Sequence, residues 1–313
     1  TWIEYILIEN FKSLRQIQLT GCKRINVFLG GPNSGKSNLL EALAVFSLPF
    51  LKGNPSKKIS QLIRMDNISE LFYEGGREQP VIIETNICTA RLTTDQRDGI
   101  AVEIRTRTGG GDYRADDRLN FSLGRDSKSL PAIKKYSFPA KTRFGRAQTP
   151  FLLPPFGDNL MEIIEGYPVF RNEISYLLKD HELLLVLDQE SRSLKLTPAN
   201  RSEKDIFLLP YDSLSETLRR IIFFKAAIAS NQDSVILLEE PDAHVFPSYI
   251  PMITQEMIYK SDNQYFITAQ TTDLLIDLLE DCPQEIAVFE FKYQKHQTEV
   301  KHLTNAEYSG YFT

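Results

Sequence analysis

Apolar residues recur along this chain with several periods, and the changes of period mark its elements. The opening "WIEYILIENF" sets Trp2, Tyr5 and Leu7 against Ile3, Ile6 and Ile8, so a strand covered on both faces is expected. "RINVFLG" is a second such strand, dense in Ile25, Val27, Phe28 and Leu29, and it runs straight into a glycine-rich stretch. In "NLLEALAVF", Leu39, Leu40, Leu43 and Phe46 stand at helical spacing, and Pro49 is the expected stop. Residues 52–80 are polar and irregular, with helical hints from Ile59 to Phe72.

From Val81 to about Phe121, short alternating runs such as "VIIETNI" and "IAVEIRTRT", joined by turns such as "GGGD" at 109–112, predict an antiparallel sheet. "FLLPPFGDN" at 151–159 is a break. Helical sequence follows it, and then strands near 183–197. After Leu208 the pattern becomes βαβ: helix 214–230, strand 234–239, helix 247–259, strand 264–269, helix 272–280, and closing strands near 286–291 and 298–303.

With 313 residues, 42% of them apolar, the chain can bury a substantial core as one large or two small α/β domains. The longest apolar run, Ala44 to Leu51, is far short of the roughly 20 residues that a membrane span needs, and a soluble, cytoplasmic protein without membrane partners is expected. Cys22, Cys88 and Cys282 are too widely spaced for a disulfide framework or a thiolate metal cluster. The net charge of −5 opposes wholesale wrapping of nucleic acid. Charge is nevertheless uneven, with thirteen Lys and Arg against seven Asp and Glu from Arg91 to Arg146. Few aromatics interleave there, so solvated strand faces compete with a local basic surface.

Within "GGPNSGKSN", Gly30, Gly35, Lys36 and Ser37 satisfy G-x-x-x-x-G-K-[ST] between a buried strand and an amphipathic helix. Glycines let backbone amides turn inward on a polyanion, and the helix N-terminus adds partial positive charge. Lys36 is expected to reach the β- and γ-phosphates, and Ser37 to ligate Mg²⁺. A second segment, "VILLEEPDAH", ends a strand with two carboxylates, Glu239 for the metal side and Glu240 for the attacking water.

These residues, "GPNSGKSN" followed by "EEPDAHVFP", resemble the ABC-type ATPase heads of the RecF, SMC and OLD (overcoming lysogenisation defect) families. The resemblance spans most of the chain, through "IENFKSL", the phosphate loop, "LLPPFGDNL", "DSLSETLRRIIFF", the acidic strand and "QYFITAQTTDLL", and the chain looks like an OLD-type or closely similar stand-alone head. It implies an α/β P-loop NTPase fold of ABC-head type, with an antiparallel β-subdomain and a helical lid inserted between Walker A and Walker B. Residues 1–313 would form one head, with an N-terminal lobe over 1–150 and a C-terminal lobe over 151–313.

It further implies ATP and Mg²⁺, held by Gly30, Asn33, Ser34, Gly35, Lys36, Ser37 and Asn38, with Lys12 and Ser13 near the nucleotide. Two heads would close face to face, or as a higher homo-oligomer, with Ser215 of one meeting the γ-phosphate held by the other. Thr217 stands where many relatives have glycine, which bears on how closely the helix end approaches the phosphate; Gln270 stands at the position of a switch histidine and cannot become cationic, so slow or partner-gated turnover is expected. His244 is a candidate interface residue and Gln148 a candidate metal-contacting glutamine.

Residues 280–313 hold no clustered acidic motif at a strand end of the kind a nuclease domain carries, so an effector on another chain is expected. The roughly two hundred residues from Ser37 to Glu239 are too short and irregular for a long coiled coil. Two functions remain open: a sensor or scaffold in defence against mobile DNA, or a DNA-binding maintenance ATPase of RecF type.

Overall fold

The computed structural model describes residues 2–54, 56–95, 98–126, 130–147, 149–199 and 207–308. In chain order it runs β1 (Tyr5–Phe11), β2 (Leu14–Thr20), β3 (Ile25–Leu29), α1 (Lys36–Ala44), β4 (Val81–Thr85), β5 (Cys88–Thr94), β6 (Ile100–Thr106), β7 (Gly110–Ala115), β8 (Phe121–Asp126) and β9 (Ile133–Ser137). There follow α2 (Leu160–Gly166), α3 (Pro168–Lys179), β10 (Leu183–Asp188), β11 (Ser193–Pro198), β12 (Leu209–Pro210), α4 (Glu216–Ala229) and β13 (Val235–Glu239). The last elements are α5 (Pro251–Tyr259), β14 (Gln264–Thr268), α6 (Asp273–Asp281), β15 (Ile286–Gln294), β16 (Gln297–Leu303) and α7 (Asn305–Tyr308).

The central sheet has the order β16-β15-β3-β14-β13-β9 and is parallel except for β16 at its edge. Every residue of β3 is buried because helices and strands cover both of its faces. Ile25, Val27, Ile236, Leu238, Tyr265 and Ile267 face one core, shared with α2–α6. Phe28, Leu237, Phe266 and Phe289 face another, shared with α1 and with the antiparallel sheet β2-β1-β4-β5-β6-β7-β8. A short sheet, β10-β11-β12, packs beside α3. Among the described residues no helix is long and apolar enough to cross a membrane.

Three local expectations change. Strand β1 lies in the antiparallel sheet rather than between layers: Ile6 and Ile8 are fully buried, while Tyr5 and Leu7 are half-buried. Pro49 does not stop the first helix; α1 ends at Ala44, and a 3-10 segment, Val45–Gly53, carries the chain through the proline. The helical hints near 59–72 are two 3-10 turns, Ile59–Gln61 and Ile68–Leu71.

Strand β9, "IKKYS", has no apolar alternation, yet Ile133, Lys134, Lys135 and Tyr136 are all buried. Lys134 Nζ donates to Asn231 Oδ1 at 2.6 Å and Ser234 Oγ at 3.2 Å, and sits 3.8 Å from the centroid of the Phe151 ring. Burial pushes this amine down to about 8. The unfolded chain then binds more protons than the folded one from about pH 8 up to the ordinary lysine value of about 10.4, so stability rises with pH across that window. From about pH 8 to about pH 9.5, the unfolding free energy of the wild type is expected to rise by about 2 kcal/mol relative to that of Lys134→Met. Urea midpoints at both pH values check this, and a constant difference between the two proteins refutes it.

Candidate functional site

Three of the turns that build the site leave central-sheet strands. The loop after β3 enters α1 with Gly35 as N-cap at φ 98°. A Cβ there would lie 2.0 Å from Thr298 Oγ1, and one at Gly30 (φ 149°) 2.4 Å from the Phe291 carbonyl oxygen. Only glycine fits at either place. Asn33 also has positive φ, at 56°. Gly31 through Asn38 line a cleft of about 500 Å³ together with Lys12, Ser13, Glu41, Arg64 and Glu240.

Two features of the loop fit a phosphate ligand. Ser34 is buried, and its hydroxyl has no partner. Lys36 folds its ammonium back onto the carbonyl oxygens of Gly30 and Gly31, the latter at 3.0 Å, acceptors that an anion can replace. Burial lowers the Lys36 amine, while the Glu240 and Asp242 carboxylates oppose that shift.

Strand β13 delivers the two carboxylates to the same end of the sheet. Glu239 Oε2 accepts from Ser137 Oγ at 2.6 Å and lies 3.2 Å from Lys135 Nζ; its Oε1 accepts from Arg64 Nη2 at 2.5 Å. Burial pushes the Glu239 carboxyl up, but Lys135 and Arg64 outweigh it and hold the group below the ordinary carboxylate range. Glu239 is therefore anionic, an oxygen donor of the kind a hard divalent cation prefers, but it lines an adjoining cleft of about 270 Å³ that shares Arg64 and Glu240 with the first and does not contain Ser37. Glu240 follows in a left-handed turn at φ 46°, its N–H held by Thr268 O and Oγ1 at 3.1 and 3.0 Å. That turn reverses the chain and brings Glu240 to the wall of the cleft.

The remaining sequence candidates divide. Lys12 and Ser13 lie in the cleft; Lys12 Nζ donates to Glu41, and Ser13 Oγ accepts from Asn38 Nδ2 at 2.7 Å. Gln270 lies instead in an adjoining cleft of about 260 Å³ that shares Gly31 with the first, and its N–H donates to Asp242. Ser215 caps α4 through Leu218 N at 3.4 Å and does not line the cleft. Thr217 Oγ1 donates to the carbonyl oxygen of His244, which is exposed and has φ 55°. Gln148 lies outside the described residues.

Sequence reading missed Arg64, Glu41 and Asp242. Arg64 bridges Glu41 at 2.8 Å and Glu239, a link between an irregular segment and two elements that no local pattern signals. Asp242 Oδ2 accepts from the N–H groups of Gln270 and Thr271 at 3.0 and 2.7 Å, and so ties the turn after β13 to the turn after β14. Its place in "EEPDAH" was the available signal.

No protein-family model matches the chain. Over 131 residues, 37% of its length, the chain is 30% identical to an uncharacterised protein of Methanocaldococcus jannaschii, covering 60% of that protein. Over 227 residues, 69% of its length, it is 23% identical to the DNA replication and repair protein RecF of Geotalea uraniireducens, covering 50% of that protein. The chain thus spans only about half to three-fifths of the length of these relatives. Among solved structures, the head of an SMC protein bound to the C-winged helix domain of ScpA matches with a TM-score of 0.54 at 13% identity, over 98% of this chain and 99% of that one. The fold is that of an SMC ATPase head, the ABC-type P-loop fold with mixed α/β content and an antiparallel sheet, as the sequence implies.

Proposed function

We propose that this chain is an ATP-binding and ATP-hydrolysing head that pairs with a second copy of itself around ATP and serves as the cytoplasmic sensor or scaffold of a multi-protein system directed against mobile DNA. The observation that carries the ATPase reading is the convergence of the glycine loop, Lys36 and Glu240 on one cleft, with Glu239 bound to Arg64 at its wall. The assignment to defence, with an effector on another chain, rests on the resemblance of the motif set to stand-alone OLD-type heads.

In this reading the loop amides from Asn33 to Asn38 grip the phosphates, and Lys36 leaves the Gly30 carbonyl for the β- and γ-phosphate oxygens. Ser37 and Glu239 would hold Mg²⁺, which when bound neutralises charge developing on the phosphate oxygens. Glu240 orients a water for in-line attack and takes its proton. Gln270 donates an amide hydrogen bond toward the γ-phosphate but cannot become cationic, which favours slow turnover.

Ser215 has no place in its own cleft, so its helix end serves a phosphate held by the partner copy; hydrolysis removes that bridge and loosens the pair. Calorimetric titration of Mg·ATP into the protein is expected to give saturable heat with a stoichiometry near one per chain. Absence of heat overturns the reading.

A second reading, a DNA-binding ATPase of RecF type, is favoured by the Geotalea relative and by Arg91, Arg105 and Arg114, which share the solvent face of β5–β7. Glu103 lies on that face too and dilutes its charge. DNA binding with a steep salt dependence, appearing only with a non-hydrolysable ATP analogue, would select this alternative.

A further inference from the structure

Strand β16 is an edge strand, and along it the one buried polar residue is Thr298, at 3% exposure. Its N–H donates to the Ser13 carbonyl oxygen at 2.9 Å, and its Oγ1 lies 2.7 Å from Ser13 Oγ. Ser13 Oγ in turn accepts from Asn38 Nδ2, in the first turn of α1. The Thr298 side chain also fills the space beside Gly35: a Cβ on that glycine would meet Thr298 Oγ1 at 2.0 Å and Cγ2 at 2.7 Å. Threonine thus makes two separable contributions, a methyl-bearing wall that the loop closes against and a hydroxyl that ends a chain of side-chain hydrogen bonds reaching the amide end of α1.

We propose that Thr298 is a positioning residue for the phosphate loop. Its hydroxyl holds Ser13 as the acceptor for Asn38 and thereby fixes the first turn of α1 in the shape that receives a triphosphate. Thr298 touches no nucleotide in this scheme; it acts through Ser13 and Asn38, both of which line the cleft. The inference rests on the ATP-binding reading of the loop. Strand β16 pairs with β15, whose Phe291 carbonyl oxygen crowds Gly30, so one C-terminal hairpin braces both ends of the loop.

Thr298→Val keeps the shape and removes the hydroxyl; Thr298→Ser keeps the hydroxyl and removes the methyl. Fluorescence titration with a labelled ATP analogue and steady-state turnover at saturating ATP separate the two. Loss of a partly buried hydrogen bond predicts that the valine variant binds ATP about five- to tenfold more weakly, with KM raised in step and kcat within about twofold of wild type. The serine variant is expected to bind within about twofold of wild type. A role confined to packing reverses this order, since serine would then be the damaging change. Valine binding like wild type, or serine weakened as much as valine, overturns the proposal. Wild-type protein that fails to bind Mg·ATP refutes instead the nucleotide reading on which it rests.

Discussion

Glu240→Gln is expected to lower ATP turnover by about a thousandfold, within the range contributed by a positioned general base, while nucleotide binding is retained. Glutamine has the same shape and keeps the left-handed turn, whose N–H is held by Thr268 and whose carbonyl oxygen accepts from Arg220 Nη1 at 3.2 Å. What it loses is the carboxylate proposed to receive the proton of the attacking water. Because hydrolysis is the step that releases paired heads in the proposed cycle, the variant should also accumulate as an ATP-bound dimer. Phosphate release measures the first effect and light scattering on a sizing column the second. Undiminished hydrolysis would refute the role given to Glu240, whereas lost turnover without dimerisation would leave the base assigned and remove the two-copy model.

Gly35→Ala should weaken ATP binding by a few hundredfold. Two costs add at this position. The residue has φ 98°, where a Cβ is strained by about 1–2 kcal/mol, and the new methyl would stand 2.0 Å from Thr298 Oγ1 and force the loop or β16 aside at a further cost of about 1–3 kcal/mol. Both act on the loop whose amides are proposed to bind the phosphates, so the loss is expected in affinity. Calorimetry on the purified variant reads it. An alanine protein that binds as tightly as wild type would show that the amides of this loop do not grip the ligand.

Sequence made the phosphate loop and the acidic strand end legible because their chemistry is local. A glycine spacing, one lysine and one serine follow a run of buried residues, and Glu239 and Glu240 sit together at the end of four apolar residues. The central sheet was half legible. Strands β3, β13 and β14 are dominated by apolar residues, as expected of strands buried on both faces. Strand β9 was hidden, because its two lysines are buried by pairing with groups distant in sequence: Lys134 with Asn231, and Lys135 with Glu239 and the Leu62 carbonyl oxygen. Strand β2 was hidden by its exposed polar residues, Arg15, Gln16 and Gln18, since it lies at the sheet edge. The Arg64–Glu41–Lys12 cluster was illegible for the same reason as β9: opposite charges that meet only after folding carry no periodic signal in a single chain.

The bracing of the loop by the last hairpin bears on how the protein is made. Ser13 and Thr298 are 285 residues apart, so the nascent chain can display its whole glycine motif long before the residues that hold it in shape have left the ribosome. Such distant pairing is entropically slow to close. Until β15 and β16 dock, the loop lacks both braces, so in the proposed scheme nucleotide capture must follow the synthesis of that hairpin.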